Sequence, residues 1–110
     1  MRGWVYMMTN KPFGTLYVGV TNDIVRRAWE HRQGTGSCFS ARYRLKRLVF
    51  LEHHDEILVA IHRETRLKHW PRLWKLNLIE QQNPLWADLF EQIPVELKAA
   101  ATPMVHTDEP

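Results

Sequence analysis

Trp4-Val5-Tyr6-Met7-Met8, a break at Lys11-Pro12-Phe13-Gly14, and then Leu16-Tyr17-Val18-Gly19-Val20-Thr21 decide the fold. Two apolar runs, rich in β-branched and aromatic residues, flank a Pro/Gly cluster. That is the pattern of a β-hairpin. The first run is apolar at every position, as in a strand buried on both faces. The second alternates: Leu16, Val18 and Val20 point one way, and Tyr17, Gly19 and Thr21 the other. Glycine weakens a strand interior unless something must approach closely. The Tyr17 phenol and the bare backbone of Gly19 therefore share a face on which a ligand can sit.

Beyond the hairpin, Asn22 or Asp23 caps a helix that runs to about Gln33 and stops at Gly34. Arg27 and His31 are i and i+4 on it and share a face. Ser40 to Leu45 reads as a short helical turn or as irregular chain. Leu48–Leu51 reads as a third strand that ends at the acidic-histidine run 52–56. Asp55 caps a helix over 56–69 whose apolar stripe is Ile57, Ala60, Ile61 and Leu67. Pro71 opens another helix, to about Gln82, with Leu73, Leu76 and Ile79 inward. Asn83-Pro84 reads as a cap and the first residue of a short helix through Phe90. The expected fold is α+β, in the order β-β-α-β-α-α-α: a small three-stranded, mostly antiparallel sheet flanked by helices. Residues 1–93 form one domain, and the Ala/Thr/Pro-rich acidic stretch 94–110 is expected to be a flexible tail.

The 110-residue length suits one domain with a small core. No apolar run approaches the ~20 residues of a membrane-spanning helix. The first apolar run ends at Thr9-Asn10-Lys11, before any cleavage-like site, so no signal peptide is expected. The single cysteine, Cys38, excludes an intrachain disulfide and a CxxC metal site. The expected location is the cytoplasm.

A net charge of +3 hides an asymmetry. Residues 1–79 hold fourteen Lys/Arg against six Asp/Glu, and residues 80–110 hold one Lys against six acids. Dense basic patches are the footprint of a polyanion partner, or else simply a solvated surface. The candidate nucleic-acid contacts are Arg26, Arg42, Arg44, Lys46, Arg47, Arg66 and Lys68. Trp29, Phe39, Tyr43 and Trp70 lie among them and can stack on unpaired bases or pack the core.

Glu64 falls inside the apolar stripe of its helix, and a carboxylate on a buried face needs a reason. Either it is a rim position paired i,i+4 with Lys68, or it is a metal ligand. His62-Arg63-Glu64 mimics the His-x-Glu of zinc deaminases, but that site needs cysteines this chain lacks. His53-His54-Asp55 reads as an exposed loop rather than a transition-metal site.

Taken in order, Tyr6, Tyr17, Arg27, His31, Glu64 and Asn83 resemble the GIY-YIG nuclease family, in particular its small single-domain bacterial branch. Tyr17-Val18-Gly19-Val20-Thr21-Asn22-Asp23 and Arg26-Arg27-x-x-Glu30-His31 carry the likeness most closely. Trp4-Val5-Tyr6 stands where Gly-Ile-Tyr is usual. The resemblance runs through Asn83-Pro84 and stops near Ile93. It implies a metal-dependent DNA endonuclease using one Mg²⁺ or Mn²⁺ ion. Within it, Tyr6 is the base candidate, Glu64 the metal ligand and Arg27 the phosphate contact. Tyr17 positions water or phosphate, His31 assists the tyrosine, and Asn83, with Asn77 as the alternative, closes the site. With no zinc finger and no second domain for sequence readout, single-stranded, branched or damaged DNA is the expected partner. A non-catalytic nucleic-acid binding module is the competing expectation.

Overall fold

The computed structural model describes residues 1–35 and 37–93. The tail expected over 94–110 lies outside the described residues. β1 (Gly3–Thr9) and β2 (Leu16–Thr21) pair antiparallel around a turn closed by Gly14 N–H on Lys11 O at 2.9 Å. β3 (Arg47–His54) pairs antiparallel with the other side of β1, giving the order β2-β1-β3. The all-apolar run therefore becomes the central strand. Val5, Tyr6, Met7 and Met8 are all buried. Each is worth about 1.5–3 kcal/mol, against about 1 kcal/mol net for a ladder hydrogen bond. Burial of β1, more than strand pairing, fixes it in the middle.

The two faces of β1 carry two cores. On the first face, Tyr6 and Met8 pack with Ile24, Val25 and Ala28 of α1 (Ile24–Gln33), together with Leu45, Leu48 and Leu89. On the second, Val5, Met7 and Val18 pack with Ala60 and Leu67 of α3 (Ile57–His69) and Ile79 of α4 (Arg72–Gln82). A register shift sets Met7 opposite Phe50 and Met8 opposite Leu48. The extra residue lets Val49 and Phe50 both serve the second core. A short helix, α2 (Cys38–Arg42), precedes β3, and a 3₁₀ turn at Leu89–Gln92 closes the domain.

Several expectations need correction. β3 continues through Glu52, His53 and His54, so these are strand residues rather than a loop. Glu52 is held by Arg63 (Nε–Oε1 3.0 Å, Nη2–Oε2 3.3 Å) and by His54 Nε2 at 2.8 Å. Burial alone would raise its carboxyl; these partners outweigh burial and hold it below the usual range. Asp55 does not cap α3: Glu56 is the capping residue and makes no side-chain cap bond. Ile61 and Leu73 are exposed, because only Ala60, Glu64 and Leu67 of α3, and Ile79 of α4, are buried against the sheet. No helix runs from Pro84 to Phe90. A turn at Asn83 leads into irregular chain and then the 3₁₀ segment.

Gly19 sits opposite Tyr6 across the β1–β2 ladder. A Cβ built there would overlap the Tyr6 ring and hydroxyl. The close approach that this glycine permits is thus made by Tyr6, which leans from the central strand across the edge strand. Gly19→Ala should lower stability by about 1–3 kcal/mol, as overpacking does, in urea denaturation at neutral pH. An unchanged midpoint would mean that the Tyr6 ring is not held over β2.

Candidate active site

α1 starts where the sequence says it should. Asp23 accepts the Arg26 N–H at 3.1 Å, and Gly34 ends the helix at φ 81°. This frame docks Ile24, Val25 and Ala28 on the sheet and carries His31 inward with them. Arg27, one turn earlier on the same face, emerges at the rim, 3.5 Å from Glu30 Oε1. Glu30 also takes Arg26, at 3.4 Å.

Tyr6 and His31 meet in the first core, with Tyr6 Oη 3.1 Å from His31 Nε2. Tyr6 is 2% exposed and His31 1%. The Tyr17 ring lies 6.2 Å from Tyr6 and 5.3 Å from His31, centroid to centroid. Burial pushes the Tyr6 hydroxyl well above the ordinary phenol range, and neighbouring Tyr17 adds to this while Arg27 opposes it. Burial, and then the charge of Arg27, lower His31 to about 4. At neutral pH both groups are uncharged, so His31 offers one lone pair and one N–H.

Ser40 completes the group and was not singled out from sequence. Its Oγ is 2.8 Å from His31 Nδ1. The only local signal is the Ser37-x-x-Ser40 spacing of a helix cap, which carries no hint of a distant histidine. From Tyr17 the aromatic surface continues outward: Phe39 stacks 6.3 Å away, and Tyr43 lies 4.8 Å beyond it. Both are 45% exposed, and the Arg42 guanidinium lies 5.8 Å from the Tyr43 ring.

Glu64 comes from the other side. It lies between Ala60 and Leu67 on the buried face of α3, 8% exposed, and α3 packs on β1 and β2. Lys68 Nζ lies 2.6 Å from its Oε2. The sheet therefore has the Tyr6–His31 pair on its first face and Glu64 on the helix that covers its second, while Tyr6 reaches toward the β2 edge over Gly19. Among the described residues no cluster of three or more His, Cys, Asp or Glu gathers, which a zinc-type cage would need. One nearly buried carboxylate beside a displaceable ammonium fits a hydrated, oxygen-loving ion such as Mg²⁺.

Asn83 is committed elsewhere. Its Nδ2 donates to Val49 O at 3.1 Å and Ala87 O at 2.8 Å, and its Oδ1 accepts from Ala87 N at 3.0 Å. Asn77 is exposed on α4, beside Trp70 and Trp74. Arg47 donates to Trp86 O at 2.9 Å, so part of its reach is structural. Arg44 and Lys46 line a cleft of about 320 Å³ with Asn10, Arg47 and Asp88. Arg66 is exposed on α3.

The depressed His31 value has a pH consequence. The unfolded chain takes up this proton near 6.5 and the folded chain only near 4, so stability is full above about pH 6.5 and falls as the pH drops toward 4. The loss attributable to His31 should reach up to about 3 kcal/mol. Urea titrations at several pH values should show this slope in the wild type and a flatter one in His31→Gln. Equal slopes would mean that His31 is accessible to protons in the folded chain.

A model of the GIY-YIG catalytic domain family matches residues 2–77. The UPF0213 protein SSP2268 of Staphylococcus saprophyticus is 33% identical over 78 residues, covering 71% of this chain and 94% of the relative. A UPF0213 protein of Staphylococcus aureus strain Mu3 is 32% identical over 69 residues, covering 63% and 84% respectively. No solved structure matches. No helix among the described residues is long and apolar enough to cross a membrane. The domain match and these relatives show that the chain belongs to the GIY-YIG family, with a nuclease-type catalytic domain.

Proposed function

We propose that the protein is a divalent-metal-dependent endonuclease that hydrolyses phosphodiester bonds in DNA, acting on single-stranded, branched or damaged regions. The observation that carries this reading is the buried Tyr6–His31 pair, 3.1 Å apart, under the charge of Arg27 and beside the edge strand that Glu64 approaches from the other face. In this reading the scissile phosphate lies across β2, between Arg27 and Glu64.

Arg27 presents its guanidinium to two phosphate oxygens, a fork that lysine cannot copy. Tyr17, on the same face as Tyr6, orients the attacking water or the phosphate. Tyr6 takes a proton from that water while its own hydroxyl proton passes to His31 Nε2. The resulting hydroxide attacks phosphorus, the P–O bond to the leaving oxygen breaks, and that oxygen takes a proton from solvent. The imidazolium later returns its proton to solvent. The raised phenol and the lowered imidazole both oppose transfer of the proton from Tyr6 to His31 in the resting protein. Tyr6 is therefore not ionised in advance, and the two proton transfers occur together. An anionic phosphate opposes the charge of Arg27 and makes His31 the better base, while it disfavours an ionised Tyr6 in the same way, so the coupled transfer remains the route when substrate binds. A divalent ion held by Glu64 would, when bound, neutralise charge on the phosphate and the leaving oxygen.

Two features support unpaired substrates. The Tyr17–Phe39–Tyr43 ladder leads out of the site with two half-exposed rings on which bases can stack. Arg42 lies beside Tyr43, and Arg44 and Lys46, which follow it in the chain and line the neighbouring cleft, offer contacts to the backbone phosphates. A second reading, a nucleic-acid binding module without cleavage, draws on the Glu64–Lys68 pair, in which the carboxylate already has a cation at 2.6 Å.

Incubating the protein with labelled single-stranded, duplex and branched DNA, with Mg²⁺, Mn²⁺ or EDTA, separates the two readings. Cleavage should require the metal, and Glu64→Gln should abolish it while DNA binding persists or tightens. Wild-type cleavage by Glu64→Gln would remove Glu64 from the mechanism, and binding without cleavage under every condition would favour the module. Binding should also fall steeply with salt, and Arg44→Glu with Lys46→Glu should weaken it on every sequence. Titrating fluorescent oligonucleotides at two salt concentrations measures both effects; unchanged affinity in the double variant would place the nucleic acid elsewhere.

A further inference from the structure

Ser40 is a polar side chain only 2% exposed, and the mechanism above gives it no part. Ser37 places it. As the cap of α2, Ser37 Oγ accepts the Ser40 N–H at 3.0 Å, and its own hydroxyl donates to Ser40 Oγ at 2.9 Å. Ser40 Oγ then faces two further groups, the Ser37 carbonyl at 3.3 Å and His31 Nδ1 at 2.8 Å.

A serine hydroxyl has one proton to give and two sites that accept. The Ser37 proton fills one acceptor site, which leaves two arrangements. If Ser40 donates to Nδ1, His31 carries its proton on Nε2 and gives it to the Tyr6 hydroxyl, whose own proton then turns to the Tyr17 hydroxyl. If Ser40 donates to the Ser37 carbonyl, its free acceptor site takes Nδ1–H, and Nε2 presents a lone pair to the Tyr6 hydroxyl. Only the second closes within Ser37, Ser40, His31 and Tyr6, and it alone makes the Ser40 bond to the Ser37 carbonyl, which Ala41 N–H shares at 3.0 Å.

We propose that Ser40, locked by Ser37, is a positioning residue that holds His31 as the Nδ1–H tautomer, with Nε2 facing the Tyr6 hydroxyl as a proton acceptor. The consequence for rate rests on the nuclease reading; the tautomer itself is a property of the folded chain. The groups packed around the imidazole are Tyr6 from β1, Tyr17 from β2, Arg27 from its own helix and Ser40 from α2.

Long-range ¹H–¹⁵N correlation on the labelled full chain at pH 7 reads the tautomer directly. The wild type should show a protonated Nδ1 and a bare Nε2. Tyr6→Phe should keep that pattern, because Ser40 sets it. Ser40→Ala should lose it, giving a mixture or Nε2–H, and Ser37→Ala, which keeps the Ser40 hydroxyl but frees it, should fall between. In single-turnover cleavage with Mg²⁺, Ser40→Ala should lower the rate by about 10–100-fold, the usual range for a group that orients another, with KM little changed. A wild-type spectrum with Nε2–H overturns the assignment, as does an unaltered Nδ1–H pattern in Ser40→Ala. Should Ser40→Ala fail to fold, the wild-type and Ser37→Ala spectra decide. A wild-type protein that cleaves nothing yet shows the Nδ1–H tautomer would refute the nuclease reading and leave this one standing.

Discussion

The hydrogen bond between the Tyr6 hydroxyl and His31, buried between sheet and helix, is the constraint around which the first face is built. Both groups lose water on folding, and leaving either unpaired would cost about 1–3 kcal/mol. Meeting at 3.1 Å removes that cost, but only for one rotation of α1 on the sheet. That rotation is the one in which Arg27, on the same helical face, comes out beside the pair. The phenol can reach His31 only because Gly19 has no side chain in its path. Gly19, His31 and Arg27 are thus three consequences of one buried contact.

The two edges of the sheet are treated differently. Along β3 the edge is closed by side chains: Asp88 takes Leu48 N–H at 3.3 Å, Asn83 gives to Val49 O, and Gln82 takes Leu51 N–H at 3.0 Å and gives to Leu51 O at 2.7 Å. An amide on Leu51 copies the bonds of a further strand and protects the edge from unwanted pairing. Asn83 belongs to this closure, and it also ties the turn that follows α4. The opposite edge is β2, which carries Tyr17 and Gly19.

Local signals in the sequence reached as far as local physics does. The hairpin, the Asp23 cap, the Gly34 stop and the two faces of β2 depend on near neighbours, and each stands where the pattern puts it. Gly19 was legible as a point of close approach, but the approaching group is Tyr6 from the next strand rather than a ligand. Ile61 and Leu73 show the limit of periodicity. A helical stripe says which residues share a side, not how much of that side a three-stranded sheet can cover. Asn83-Pro84 carries the signature of a helix start, yet the Asn83 amide bonds to Val49, 34 residues earlier in the chain. Ser40 gave no signal at all, since its partner is a histidine nine positions away on another helix.

The charges near β2 pull in opposite directions, and the balance decides what the resting site can do. Arg27 favours an ionised Tyr6, and by the same field it makes His31 a poorer base. It cannot ready both ends of a proton transfer at once. Glu64 follows the same logic in reverse: a carboxylate this well buried needs a cation, and in the folded chain Lys68 supplies one. Lys68 is half exposed and on a flexible stem, so it can leave for solvent or for a phosphate when a doubly charged ion takes its place. Each of the two charged residues is thus paired in the folded chain, Arg27 with Glu30 and Glu64 with Lys68. On the proposed reading, a phosphate and a divalent ion would each have to displace one of these partners.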